Sequence, residues 1–466
     1  MPKITSTSTG SEPEKASATA STTATVVLNE PPAPAPASAP APAPATPHPA
    51  KEGGLRGWLQ VFSTLFILFN IWGLAFAFGS FQSYYVLDFL PSTSTSAISW
   101  TGTIQSWLLI VGGLISGPLF DLGYYIHLIG IGTFLSVFGI MMLSLATEYY
   151  QILLSQGICT GLGFGLLYIP SLTTVSRSFV QKRALALGIA TAGAPAGGVI
   201  YTLMFEQLLP RVGFAWTVRV IGFVMLGLFI AAGIMVSFTV DTAKPTRAAT
   251  QAPTTQKRQV FDTAALKDLP FWSYTLANFF LYLGYMTPFY YIPIYAETKL
   301  HTSRSMGLYI LIISQASSII GRVVTTAVAH YFGAMVPWII TGVASGVLCM
   351  AWISATTLVR FVLFAAFYGG ISGALVPLPP SVFPHICPDP SVLGAWMGMS
   401  QSMTSFATLI GAPIAGALAA LGSSGSEELN YVNVQLWCGV LMVSGAVQLL
   451  GLWWLLWRFR GKGWLF

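Results

Sequence analysis

Arg322 is the residue whose chemistry most needs explaining. It closes the run Gln315-Ala-Ser-Ser-Ile-Ile-Gly321-Arg322, with apolar sequence on both sides. Charge within a membrane is expensive and is kept where it does work. A guanidinium offers a planar fork of donors that fits a carboxylate, so one reading is an arginine that binds an anion in a central cavity. The other is a structural arginine tied to loop carbonyls, since the inner end of its helix is only about one and a half turns away. No carboxylate shares this depth. Asp88, Glu148, Glu206, Glu297, Glu427 and Glu428 fall at outer ends or loops, and Asp121 and Asp389 at inner ones. The other polar candidates at depth are Asn70, Gln82, Gln105, Gln156, Asn278, Gln315 and Gln401, with Tyr282, Tyr285, Tyr290, Tyr368 and Ser372. For the amides, hydrogen bonding between helices is the plainer role, and for the aromatics, packing. Asn278, Tyr282 and Tyr285 recur at i, i+4, i+7 and so share one helical face.

Other chemistry is not signalled. The chain contains no H-E-x-x-H, G-x-S-x-G or G-x-x-x-x-G-K-[ST] motif, and its five histidines are isolated from one another. The four cysteines are scattered, and three lie in apolar runs, which suits packing better than metal or disulfide chemistry. We therefore expect no enzyme, no cofactor and no metal.

The elements that must position Arg322 are membrane helices. With 54% hydrophobic and 8% charged residues, the chain is far from the roughly 25% charged content of soluble domains. Its net charge of +6 comes from cations that flank apolar runs rather than form a face, so nucleic acid is not an expected partner. Residues 1–55 are rich in Ser, Thr, Ala and Pro and read as a disordered cytoplasmic tail with polyproline II character. From Trp58 on, apolar runs of about 20 residues recur, the length that crosses a bilayer. Twelve spans are expected, near 58–86, 100–120, 125–146, 150–175, 184–204, 215–239, 271–294, 306–329, 335–354, 358–379, 393–420 and 431–457. They divide into an N-terminal six-helix bundle (56–240), a basic cytoplasmic linker (241–269), a C-terminal six-helix bundle (270–457) and a short C-terminal tail (458–466). With both termini cytoplasmic, only Arg211, Arg219, Lys299, Arg304 and Arg360 of the 21 Lys and Arg residues fall outside, as the positive-inside rule favours. No signal peptide precedes the first span.

Span five is the element most fitted for close packing. After the cations Arg177, Lys182 and Arg183 comes an apolar run with Gly188, Gly193, Gly197 and Gly198. Glycine weakens a helix in water, by about 1 kcal/mol relative to alanine. In lipid the helix is enforced by its own hydrogen bonds, and small residues four apart let a neighbour approach. Pro288 and Pro293 should break span seven, and Pro377, Pro379 and Pro380 should end span ten.

Several motifs together resemble the major facilitator superfamily, and more narrowly its monocarboxylate-porter branch of fungal type. They are Glu52-Gly-Gly-Leu-Arg-Gly-Trp58, Asn70-Ile-Trp72-Gly73, Phe78-Gly-Ser-Phe-Gln-Ser-Tyr-Tyr85, Phe179-x-x-Lys182-Arg183-Ala-Leu-Ala-Leu-Gly188, Gly321-Arg322, Tyr368-Gly-Gly-Ile-Ser-Gly373 and Gly411-Ala-Pro-Ile-Ala-Gly416. The resemblance implies an all-α fold of two pseudo-symmetric bundles in which spans one, four, seven and ten line a cavity. It raises the anion-binding reading of Arg322 and makes Asn70, Asn278, Tyr282, Tyr285, Gln315 and Tyr368 expected substrate contacts. It also implies that Asp121, Lys182, Arg183 and His330 take part in gating the inner face. The chain departs from the pattern in places. Leu122 stands where an arginine is usual, His330 where an acid is usual, and Ser318 stands four before Arg322, where the animal lactate carriers have aspartate. Span one holds no lysine.

The expected function is alternating-access transport of a small organic solute, a monocarboxylate or related organic acid, across the plasma membrane, with protons a candidate co-substrate. Efflux of a secondary metabolite is the rival within the fold, and a non-transporting nutrient sensor the rival outside it. Deletion of residues 1–50 separates the last two. A carrier keeps its solute flux in vesicles, whereas a sensor that signals through this tail loses its output.

Overall fold

A computed structural model describes residues 53–90, 92–93, 95–239, 262–420 and 431–461. The expected N-terminal tail up to residue 52, most of the linker (240–261) and the last five residues lie outside these. The described residues are helical almost throughout: α1 (Gly54–Tyr84), α2 (Thr95–Val111), α3 (Gly113–Asp121), α4 (Tyr125–Leu143), α5 (Tyr149–Ile152), α6 (Thr160–Ser178), α7 (Arg183–Thr239), α8 (Leu269–Tyr285), α9 (Thr287–Thr298), α10 (Arg304–Phe332), α11 (Met335–Ala351), α12 (Leu358–Ser372), α13 (Leu378–Val382), α14 (Leu393–Ala420) and α15 (Tyr431–Arg460). Ten segments among the described residues are long and apolar enough to cross a membrane.

The difference from twelve has two local causes. Spans five and six are counted together in α7 but are two helices: the first runs on through the expected loop at 205–212, and the chain breaks at Gly213, whose φ of 73° suits glycine. Span seven is instead divided. Proline cannot donate a backbone hydrogen bond, and with Pro288 in the first turn of α9 the ladder opens at Met286, between α8 and α9. The Tyr285 carbonyl at this break accepts from the Tyr368 hydroxyl at 2.8 Å. Span ten degrades as expected into a 3-10 turn (Gly373–Leu375), the five-residue α13 and another 3-10 turn (Phe383–His385). Two π-helical stretches were not foreseen: Tyr85–Phe89 after α1, and Leu153–Cys159 between α5 and α6. They touch through Tyr85 Oη, which donates to Gln156 Oε1 at 2.8 Å.

The glycines of α7 serve two faces. On one, Gly193 and Gly197 lie so close to α1 that a methyl on either would overlap the carbonyl oxygens of Leu65 and Phe69, and Gly73 of α1 meets Gly197 backbone to backbone. On the other, Gly188 and Gly198 face α10, where a methyl would overlap Thr326 and Gln315. At the end of the molecule that holds Asp121, α3 meets α14 in the same way, with Gly113 against Gly398 and Gly117 against Gly394.

Gly197→Leu should force α1 from α7 and destabilise the protein by about 1–3 kcal/mol, the usual range for overpacking. Gly227→Leu is the control, since nothing lies near Gly227. Thermal unfolding in detergent should show a lowered Tm for the first variant and none for the second.

Candidate functional site

A cavity of about 10 Å³ lies among Trp72 and Phe76 of α1, Ala194 of α7, Tyr282 of α8, Met286 at the break, Arg322 of α10 and Val376. Arg322 is 1% exposed, and its surroundings follow from local sequence. Pro195 lacks the N–H that would pair with the carbonyl four residues earlier, that of Thr191. Arg322 Nη1 donates to that carbonyl at 2.5 Å. The glycine face of α7 brings α10 near enough for this bond. The cation is thus tied to a carbonyl, though one in mid-helix rather than in a loop, and its Nε remains without an acceptor.

The wall around the guanidinium is aromatic. The Tyr285 hydroxyl lies beside it without closing a hydrogen bond. Tyr282 and Tyr285 meet edge to face at 5.7 Å, Tyr285 meets Phe289 at 5.5 Å, and Phe76 approaches Phe289 at 6.3 Å. Tyr168 of α6 packs edge-on against Trp72 at 5.8 Å. The Trp72 indole nitrogen has no acceptor. None of the described residues lining the cavity is a carboxylate. The site therefore offers hydrogen-bond donors and an aromatic wall, and in this conformation it has room for about one water.

Of the expected substrate contacts, Arg322 and Tyr282 line the cavity and Tyr285 adjoins it. The others are not among the residues that line it. Asn70 is held away by two bonds to α7: its Nδ2 donates to the Met225 carbonyl at 3.2 Å, and its Oδ1 accepts from Tyr201 at 2.5 Å. Asn278 donates to the Tyr274 carbonyl of its own helix. Gln315 fills the seam against Gly198, its Oε1 without a partner. Tyr368 is engaged with the broken end of α8. Depth in the membrane, which the sequence reveals, does not say which way a side chain faces. Trp72, Phe76, Tyr168 and Met286 were missed as wall residues. Pro195, four after Thr191, was the available signal for where Arg322 would be held.

The expected gating residues gather at one end of the molecule. Asp121 accepts from Gly394 N at 3.2 Å and Ala395 N at 2.7 Å, the first amides of α14, and from Arg177 Nη2 at 2.5 Å. Arg177 also donates to the Pro390 carbonyl at 2.9 Å and lies over the Phe120 ring. A helix N-terminus favours a carboxylate, and Arg177 of α6 supplies it with a cation. Arg177, one of the cations that precede span five, is the partner. Arg183 Nε donates to the carbonyls of Ser176 and Phe179, and Nη1 reaches that of Ser381. His330 Nδ1 lies 3.1 Å from the Gln181 carbonyl. Lys182 is exposed on the same turn.

Comparison with known proteins agrees with this architecture. Residues 61–364 match the family described as Major Facilitator Superfamily. The chain is 35% identical to the MFS-type transporter dbaD of Emericella nidulans, over 85% of this chain and 86% of that protein. It is 34% identical to the aspyridones efflux protein apdF of the same organism, over 89% and 81%. Among solved structures, it resembles the Major Facilitator Superfamily transporter FucP in the outward conformation, with a TM-score of 0.64 and 16% identity over 87% of this chain and all of that one.

Cys387 reports on the Asp121 end. It is 6% exposed, and burial pushes its thiol up to about 12, so it should react slowly with a maleimide while this end is closed. Asp121→Asn and Arg177→Gln should each raise its labelling rate, by about fivefold for a partly exposed ion pair of about 1 kcal/mol. A Cys159→Ser background removes the partly exposed thiol. Unchanged labelling would show that the pair does not hold this end shut.

Proposed function

Because the chain belongs to the Major Facilitator Superfamily and is a transporter, we propose that its solute is an organic anion with an aromatic or otherwise apolar body, held through Arg322. The observation that carries this reading is the pairing of two donors without acceptors, Arg322 Nε and Tyr285 Oη, at one aromatic-walled cavity. A carboxylate or acidic enolate would satisfy both donors, and the rings would take its body. Such a solute is a monocarboxylate in the sense of the resemblance, but larger than a short-chain acid. That apdF is an aspyridones efflux protein favours export of a secondary metabolite as the direction. In this reading two six-helix halves rock about the cavity in the plasma membrane. Both termini are cytoplasmic, and the Asp121 end faces the cytosol. A proton, if one moves, travels on the substrate acid, since none of the described cavity residues is a carboxylate.

The test is flux of a panel of short-chain and aromatic carboxylates in proteoliposomes. Arg322→Gln should lower kcat/KM for the transported acid by at least about thirtyfold, as truncating one side of a buried charge pair costs about 2–5 kcal/mol. Arg322→Lys should recover only part of it, because an ammonium lacks the guanidinium's fork. Wild-type flux in Arg322→Gln, with equal protein in the membrane, would overturn the proposal.

A further inference from the structure

We propose that Trp72 is a second anion-contacting residue, its indole N–H donating to the substrate's charged group from α1 while Arg322 holds that group from α10. The inference rests on the anion reading above and adds the residue that grips from another element. Several described tryptophans have a buried indole nitrogen without an acceptor, among them Trp107, Trp338, Trp352 and Trp437. Of these only Trp72 lines the Arg322 cavity. It is 7% exposed, and it is held edge-on by Tyr168 at 5.8 Å and against Phe76 at 5.9 Å, so its ring has little freedom to turn the N–H elsewhere. The Tyr168 hydroxyl lies beside the indole without closing a hydrogen bond, and it is close enough to Arg322 to feel its charge.

An indole N–H can donate but cannot accept. Buried without an acceptor it is costly, and a substrate oxygen placed between Trp72 and Arg322 would remove that cost. Donors from two different elements lining one cavity also select for position. The charged group must lie between α1 and α10, with the body of the solute against Tyr282, Met286 and Phe289. Span one lacks a cation, and Trp72 gives it a donor in place of one. Trp72 thereby discriminates between an anion and a neutral molecule of the same shape, where a tryptophan that only packs would not.

The experiment measures binding of 1-naphthoate and of neutral 1-naphthalenemethanol to the full-length protein in nanodiscs by calorimetry. Trp72→Phe keeps a ring and removes the N–H. It should weaken naphthoate about tenfold and leave naphthalenemethanol within about twofold, as expected for one hydrogen bond to a charged group. Trp72→Tyr returns a donor and should recover part of the naphthoate affinity. Equal losses for both probes, or no loss for either, overturn the inference. In wild-type protein carrying 15N-indole tryptophan, one indole N–H resonance should move downfield with naphthoate and stay in place with naphthalenemethanol. Absence of that shift overturns the inference however the variants fold. If Arg322→Gln loses naphthoate binding while Trp72→Phe keeps it, only the role of Trp72 falls. If Arg322→Gln binds naphthoate like the wild type, or the wild type binds neither probe, the anion reading falls with it.

Discussion

Helices in lipid gain nothing by hiding apolar side chains from a solvent that is itself apolar, so they must be held by contact between backbones. Much of this structure depends on how α7 meets that constraint. Its glycines open two faces, one to α1 and one to α10. Pro195 lies between them in sequence and frees the Thr191 carbonyl that Arg322 takes. The tripeptide Gly193-Ala194-Pro195 thus does two jobs at adjacent positions. One residue lets a helix in, and another leaves an unpaired acceptor that fixes a charge at mid-depth. Were α7 and α10 held apart by a larger side chain at Gly188 or Gly198, the guanidinium would lose both its anchor and its place in the cavity.

The contacts at the Asp121 end are of another kind. There the glycines of α3 and α14 also meet, but the bonds that cross the seam are polar and near water. Asp121 binds the first amides of α14, and Arg177 secures it. The side chains of this pair are 32% and 9% exposed. Interactions in that setting are worth little individually, as the proposed alternating access would require of a contact that opens and closes. The Arg322 bond to Thr191 is shielded from water, and no such weakening applies to it.

Legibility in the sequence followed the strength of the physics behind each feature. The spans were readable because crossing a bilayer demands a run of fixed length, and the failures of spans seven and ten because proline removes a specific hydrogen bond. The continuity of α7 through Glu206 and Arg211 was not readable, since a polar stretch at a membrane surface can be loop or helix. Nor were the π-helical stretches at Tyr85 and Leu153, which leave the hydrophobic pattern unchanged. Arg322 declared itself because charge in lipid is rarely idle. Asn70 was as deep but faces Met225 and Tyr201, and a pattern without neighbours cannot tell the two apart. The pairing of Arg177 was not readable, because its partner lies 56 residues earlier in the chain.

The solitary charge of Arg322 has a consequence for energetics. The described residues lining its cavity include no carboxylate to neutralise it. If a monovalent anion rides on Arg322, the loaded carrier moves its centre with no net charge, and the empty carrier moves it with one positive charge. The membrane potential then acts on the return step, with a weight of up to about 2.3 kcal/mol per 100 mV for a full crossing. A negative cell interior draws the empty arginine inward, where it waits for cytosolic anions. The resting voltage of the cell would by itself incline such a carrier towards export.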